Sequence, residues 1–293
     1  MEKRALDIAI ISDVHLGSNK CHARELLNYL QSIKPHTLIL NGDFLDAGKF
    51  DRNFFPKEHM QIINELFAMA LSGTKVYYIT GNRDDVLRKF SDFSTGTISL
   101  RDKLVLLLEN KKYWIFHGDI FDSSLKISPR VAKLGGKGYD FLLKINRFIN
   151  RWRRRFGKSR MSFSKKIKRS VKRAMKVIED FENTAIKLAA QQDYNYVICG
   201  HSHQPVIKNV TVGVKQITYM NSGDWVENLT ALEYEWGRWN LYKYDELDYQ
   251  IINPRLHIKT NKNGIKSSRD LKKKRTEMLF KKIVDTNKIK QKK

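Results

Sequence analysis

Apolar residues gather in five short runs, Ala5–Ile11, Thr37–Leu40, Lys75–Thr80, Lys112–Phe116 and Asn195–Cys199, each rich in Ile, Val, Leu and Tyr. Runs of this length with little alternation predict strands buried on both faces. Two segments between the first three runs repeat at helical spacing instead. His22–Ile33 carries Leu26, Leu27, Leu30 and Ile33, and Glu58–Ser72 carries Ile62, Ile63, Leu66, Phe67 and Ala70. Strand, helix, strand predicts the crossover unit of an α/β sheet. Further on, Val206–Trp225 and Thr230–Tyr244 alternate apolar and polar positions around Gly213, Gly223 and Gly237, which predicts antiparallel hairpins.

Helical spacing also governs Phe141, Leu142, Ile145, Phe148, Ile149 and Trp152, and again Phe163, Ile167, Val171, Ala174, Ile178 and Phe181, with a break near Gly157 and Ser159. The pattern divides the chain into one main domain over residues 1–253, interrupted by a helical insertion at 123–190, and a tail at 254–293 that is poor in aromatic residues and reads as disordered. There is no internal repeat.

Charge sharpens that division. The formal net charge is +24, yet residues 147–176 hold 14 Lys/Arg and no acid, and residues 255–293 hold 15 Lys/Arg against three acids. Removing +14 and +12 from +24 leaves about −2 for the rest, so the main domain is near neutral and two segments carry the basicity. Basic faces of this kind suit an anionic membrane surface, each basic residue near it contributing on the order of 1 kcal/mol, and suit nucleic-acid phosphates less specifically. Two cysteines, Cys21 and Cys199, exclude a disulfide framework, and Cys199 within an apolar run reads as a small buried hydrophobe. No apolar stretch approaches the ~20 residues of a membrane span, and Asp7 and Asp13 come too early for a signal-peptide core. The expectation is a cytoplasmic protein that meets the inner membrane at its surface.

Chemistry concentrates where the apolar runs stop. In order these points are Asp13-Val14-His15, Gly42-Asp43-Phe44-Leu45-Asp46, Gly81-Asn82-Arg83-Asp84, His117-Gly118-Asp119 and Gly200-His201-Ser202-His203. Polar residues at strand C-ends are where α/β sheets build their sites, so the five are expected to converge on one sheet edge. Asp13 and His15 point the same way along an extended chain, as do His201 and His203. Carboxylates, imidazoles and one amide form the donor set that two cations ~3.5–4 Å apart would need to activate water and balance phosphoryl charge. Asp43, in a Gly-Asp turn, is the natural bridge. Asp46 and Asp119 read as support for ligand imidazoles, and Asp84 as structural, pairing with Arg83. His22, His36, His59 and His257 read as ordinary surface or helix residues.

The full set, spanning about residues 7–245, resembles the calcineurin-like metallophosphoesterase superfamily. The resemblance implies a four-layer αββα sandwich, here with a basic helical lid insertion. It implies one metal on Asp13, His15, Asp43 and His203, and another on Asp43, Asn82, His117 and His201. So mixed and hard a ligand set favours Mn²⁺, with Mg²⁺, Fe²⁺ or Zn²⁺ as alternatives. Most members place His after the Gly-Asn pair; Arg83 stands there instead, and Gly-Asn-Arg-Asp is similar to the UDP-2,3-diacylglucosamine pyrophosphohydrolases of lipid A biosynthesis. Arg does not donate a proton at neutral pH but forks onto phosphate oxygens, which suits a leaving group that is itself a phosphate. The implied reaction is attack of a metal-bound hydroxide on the α-phosphorus, releasing UMP and an acylated sugar 1-phosphate, with Asp43, Asn82 and Arg83 at the reacting centre. The proteobacterial enzymes carry an acidic pair shortly after His-Gly-Asp; this chain has only Asp122 near that place, as the candidate sugar contact. The alternative is a metallophosphodiesterase for nucleotides or nucleic acid, steered by the basic segments.

Overall fold

The computed structural model describes residues 3–46, 55–121, 163–246 and 249, without the side chains of residues 163–174. Met1–Tyr244 forms one compact unit and Asp245–Lys293 a second. Only residues 245, 246 and 249 of the second unit are described. The helical pattern at 141–152, the candidate sugar contact Asp122 and the basic tail at 254–293 lie outside the described residues.

Twelve strands and three α-helices are described. The first half runs β1 (Arg4–Ile11), α1 (Ala23–Ser32), β2 (Ile33–Asn41), α2 (Lys57–Leu71), β3 (Lys75–Ile79), β4 (Ser94–Thr95), β5 (Ile98–Arg101), β6 (Lys103–Leu108) and β7 (Lys111–Phe116). Short 3₁₀ turns at Asp85–Phe90 and Asp119–Phe121 follow β3 and β7. The second half runs α3 (Phe163–Gln191), β8 (Tyr196–Cys199), β9 (Val206–Val212), β10 (Lys215–Asn221), β11 (Thr230–Glu235) and β12 (Arg238–Lys243). The five apolar runs are β1, β2, β3, β7 and β8, and both expected hairpins form, as β9–β10 and β11–β12.

The strands divide between two sheets. One has the order β12-β11-β1-β2-β3-β5-β4, the other β6-β7-β8-β10-β9. Their central strands are parallel. Three apolar clusters account for the layering. Leu26, Tyr29 and Leu30 of α1 and Ile62, Leu66 and Met69 of α2 pack on the first sheet through Leu6, Leu38 and Val76. Ile8, Ile10, Ile39 and Ile79 of that sheet meet Tyr113, Ile115, Ile198 and Met220 of the second. Phe181, Ala185, Ile186 and Ala189 of α3 cover the far face of the second sheet. Helix, sheet, sheet, helix is the four-layer sandwich that the resemblance implied, and β-branched isoleucine at the middle of both sheets fits a pleated surface buried on each side.

Helix ends follow local chemistry. α2 opens after Pro56, whose fixed φ suits a helix start. It closes at Gly73 with φ +99, where Thr74 N–H reaches back to Met69 O at 3.0 Å and Gly73 N–H to Ala70 O at 3.1 Å. That is the glycine-terminated double return that satisfies the last carbonyls. Among the described residues no helix is long and apolar enough to cross a membrane.

If the inter-sheet layer holds the sandwich together, Ile198→Ala should lower the free energy of unfolding by roughly 2–5 kcal/mol in a denaturant titration. Val105→Ala on the edge strand β6, where Val105 is 48% exposed, should change it by less than ~1 kcal/mol. Equal effects at the two positions would contradict this layering.

Candidate metal centre

All five motifs sit on loops that leave strand C-ends, but not at one sheet's edge. Asp13, His15, Asp43 and Asn82 follow β1, β2 and β3 of the first sheet. His117, His201 and His203 follow β7 and β8 of the second. The site spans the shared end of two stacked sheets, because an apolar run shows that a strand is buried without showing which sheet receives it.

The backbone bends sharply at the chemistry. Eleven non-glycine residues among those described have positive φ, and five of them are Asp13, His15, Asp43, His201 and His203, at +50° to +61°. The left-handed region costs an L-residue about 1 kcal/mol or more, and such strain clusters at functional sites. The turns also approach closely. A Cβ on Gly42 would fall 2.3 Å from the His117 ring, and one on Gly81 would fall 2.4 Å from Asp43 Oδ1, so both positions need glycine.

The side chains converge. His203 Nε2 faces Asp13 Oδ1 at 3.1 Å. Asp43 turns one oxygen toward each side: Oδ2 lies 4.0 Å from His15 Nε2 and Oδ1 3.4 Å from His117 Nε2. Asp13, His15 and His203 offer ligand atoms within 4.8 Å of one another, and so do Asp13, Asp43 and His117. The rings of His15 and His203 stack with centroids 5.5 Å apart, and those of His117 and His201 meet edge-on at 5.1 Å.

Hydrogen bonds hold the donors in place. His117 Nδ1 lies 2.9 Å from the Asn41 carbonyl, so Nδ1 donates there and Nε2 is the nitrogen turned toward the site. Asp13 Oδ2 accepts His201 N–H at 3.0 Å, and Asp43 Oδ1 accepts Arg83 N–H at 2.7 Å. Among the described residues Asp13 Oδ1 and His117 Nε2 are buried without a well-formed hydrogen bond, although His203 Nε2 and Asp43 Oδ1 stand 3.1 and 3.4 Å from them. Acceptors left bare in this way need an explanation, and a cation between them supplies one. The Asn82 amide points the same way. It stands 3.3 Å from both oxygens of Asp43; with its oxygen toward them the contact is repulsive unless a cation intervenes, and with its nitrogen toward them it would donate to both.

Electrostatics reflect this crowding. Burial would raise the Asp13 carboxyl, but His203, His117 and His15 hold it well below the usual carboxylate range. Burial pushes the Asp43 carboxyl up to about 6, with His117 pulling against it and Asp13 adding to it. Burial takes His15 down to about 4 against the attraction of Asp13, and nearby His203 and Arg83 reinforce the fall. For His203 burial is overridden by Asp13 and Asp224, which carry the imidazole up to about 10. His117 is likewise raised, burial being outweighed by Asp43, Asp13 and Asp119.

Arg83 is half-buried, lies near enough to His15 to depress it, and its side chain makes no hydrogen bond or ion pair among the described residues. Asp84 does not pair with it. Asp84 is fully buried: Oδ1 accepts Gly81 N–H at 2.6 Å, and Oδ2 accepts Phe44 N–H at 2.9 Å, Leu45 N–H at 3.3 Å and Tyr78 O–H at 2.5 Å. It ties the Gly42 turn to the Gly81 turn. Asp119 pairs with Arg88 at 2.9 Å, and buried Asp46 acts electrostatically on His15. His59 is not a surface residue: it is 4% exposed, and its Nδ1 accepts Gly17 N–H at 3.0 Å, anchoring the His15 loop to α2. Asp224, in the Gly223-Asp224-Trp225 turn after β10, was not singled out from the sequence, yet its Oδ2 lies 3.5 Å from His203 Nδ1.

The calcineurin-like phosphoesterase family model matches residues 6–205, more than half of the chain. The chain belongs to the calcineurin-like phosphoesterase family. As a calcineurin-like phosphoesterase it is a metal-dependent hydrolase of phosphoester or pyrophosphate bonds, and the family implies divalent metal ions. It is similar to the UDP-2,3-diacylglucosamine hydrolase of Aliivibrio fischeri (strain MJ11), with 28% identity over 246 residues that cover 81% of this chain and 98% of that one. It is similar to the UDP-2,3-diacylglucosamine hydrolase of Aeromonas salmonicida (strain A449), with 25% identity over 229 residues that cover 76% and 87%. A solved archaeal phosphodiesterase shares 15% identity and a TM-score of 0.40 over 80% of this chain and 98% of its own.

Asp84→Asn tests the brace between the two turns. The amide replaces one accepting oxygen with a donor, so either Gly81 N–H or the set on Oδ2 loses its acceptor. Bonds to a charged acceptor are worth about 1.5–3 kcal/mol, and thermal or chemical unfolding should register a loss of that order. An unchanged transition would remove Asp84 from the framework of the calcineurin-like site.

Proposed function

We propose that the protein hydrolyses the pyrophosphate bond of UDP-2,3-diacylglucosamine, or of a close lipid-linked relative, to give UMP and an acylated sugar 1-phosphate. The observation that carries this reading is the bare, inward-facing pair Asp13 Oδ1 and His117 Nε2, in a chain whose relatives bear that hydrolase name over most of their length.

In this reading Asp13, His15, Asp43 and His203 hold one cation, and Asp43, Asn82, His117 and His201 the other. The opposed oxygens of Asp43 support its place as the bridge, and the Asn82 amide binds through oxygen. Imidazole with carboxylate and amide oxygen favours Mn²⁺, with Mg²⁺, Fe²⁺ or Zn²⁺ as alternatives. Bound there, the cation pair lowers the pKa of a water and balances charge on the phosphoryl oxygens. The protein's own residues do the rest. Arg83, close to His15 and unpaired among the described residues, forks onto phosphate oxygens and orients the pyrophosphate. A phosphate leaving group needs little protonation, so a permanently charged guanidinium can stand where a proton donor would otherwise be required. The basic segments would rest on anionic lipid heads at the inner membrane surface, where an acylated substrate resides.

Three outcomes are expected. Chelation should abolish hydrolysis of an acylated UDP-sugar and Mn²⁺ should restore it, with UMP identified among the products. Asp43→Ala, His117→Ala and His203→Ala should each reduce turnover to background while a cooperative unfolding transition remains; normal turnover in any of them removes that residue from the site. Arg83→Ala should lower activity more than Arg83→Lys. In the same assay, UMP release from acylated and unacylated compounds alike would point away from a lipid substrate. Binding to nucleic acid that collapses between about 50 and 200 mM salt would favour the phosphodiesterase reading instead.

A further inference from the structure

We infer that Asp224 is a positioning residue for His203: it fixes which ring nitrogen carries the proton and so presents Nε2 as a metal donor. The inference rests on the dinuclear reading above and goes beyond the ligand set.

The geometry has three parts. Asp224 is fully buried in the turn after β10, while His203 leaves the loop after β8. One oxygen of Asp224 is committed to the backbone: Oδ1 accepts N–H from Val226 at 2.8 Å, Glu227 at 2.5 Å and Asn228 at 3.2 Å. The other is aimed at the site: Oδ2 accepts Asn228 Nδ2 at 2.6 Å and faces His203 Nδ1 at 3.5 Å. Asn228 Nδ2 also donates to the His203 carbonyl at 2.9 Å, so one amide holds both the carboxylate and the backbone of the residue it orients.

A carboxylate beside Nδ1 favours the proton there. Nε2, the atom that faces Asp13 Oδ1 at 3.1 Å, is then the nitrogen that would give up its proton to a cation. Metal-ligating histidines commonly donate their other nitrogen to a carboxylate or a backbone carbonyl in this way. His117 shows the carbonyl version through Asn41, and His203 the carboxylate version through Asp224. Trp225 N–H donates to the Asp13 carbonyl at 3.2 Å, so the same turn is tied to the loop that carries the partner ligand. A capping role accounts for Oδ1, and the Asn228 amide for part of Oδ2, but neither requires the His203 ring to stand against the same oxygen.

Asp224→Asn keeps the three backbone caps on its amide oxygen while its nitrogen puts a donor against Nδ1 and against the Asn228 amide, so the cycle with His203→Ala below isolates the part that acts through the ring. Calorimetric titration of the metal-free protein with Mn²⁺ is the readout. The expected result is two sites in the wild type, with one of them weakened about 10–100-fold in Asp224→Asn. In a double-mutant cycle, Asp224→Asn combined with His203→Ala should bind no more weakly than His203→Ala alone, because the first residue acts through the second. If Asp224→Asn titrates as wild type, or if the two effects multiply, the inference falls while the metal centre stands. A wild-type protein that takes up no Mn²⁺ would overturn the dinuclear reading and this inference with it. Should Asp224→Asn not fold, Asn228→Ala reads the same contact: weakened Mn²⁺ uptake supports the inference and wild-type uptake overturns it.

Discussion

Two carboxylates share one buried pocket, and the site is organised around that fact. Asp13 and Asp43 are 0% and 3% exposed, and among the described residues neither pairs with a lysine or arginine side chain. Burying an isolated carboxylate costs several kcal/mol, and placing two together adds repulsion. The compensation comes from the rings of His15, His117 and His203, from backbone N–H groups of Arg83 and His201, and from turns whose φ values bring those groups within reach. Each device has its own cost: left-handed turns are strained, and glycines at 42 and 81 are entropically unfavourable. A structure that keeps all of them around Asp13 Oδ1 and His117 Nε2 gathers carboxylate and imidazole in one buried place, the donor set that a cation requires.

That constraint also explains why two sheets are needed. A single α/β sheet offers a row of loops along one edge, spaced by the ~4.8 Å between strands. Stacking a second sheet about 10 Å away adds a facing row, and cross-links pull the rows together. Ser12 Oγ meets Ser222 Oγ at 2.7 Å and the Gly223 carbonyl at 2.9 Å. Asn41 holds His117, and Arg88 from the turn after β3 holds Asp119 from the turn after β7. The inter-sheet isoleucines set the distance, and these polar pins set the alignment.

The sequence announced the strands that end in chemistry because their burial on both faces leaves an uninterrupted apolar run, and because a ligand must follow where the run stops. It announced less where the physics is not local. β5, only Ile98–Arg101 and broken by Ser99, lacks that signature and becomes a strand through pairing with β3, whereas β6 has an apolar run at 104–108 but no ligand motif after it. Asp84, Asp224 and His59 act through a second residue or a backbone amide, and no spacing along the chain marks such a partner. Asp84 beside Arg83 reads naturally as an ion pair; only the fold shows four donors converging on it from its own turn, from the Gly42 turn and from a tyrosine. Asp224 follows an alternating strand in an ordinary Gly-Asp turn, and its aim toward His203 depends on the parallel pairing of β8 with β10.

Helix α3 reaches the site from the far face of the second sheet. It is 29 residues long, and its C-terminal half buries Phe181, Ala185, Ile186, Ala189 and Ala190 on the second sheet. Its N-terminal half belongs to the stretch of basic sequence. The junction between them falls at Phe181, whose ring lies 6.2 Å from that of His201 and fills the space that a side chain at Gly118 would occupy. Phe181 is thereby the point at which the helix packed on the second sheet touches both His201 and the His117-Gly118 turn.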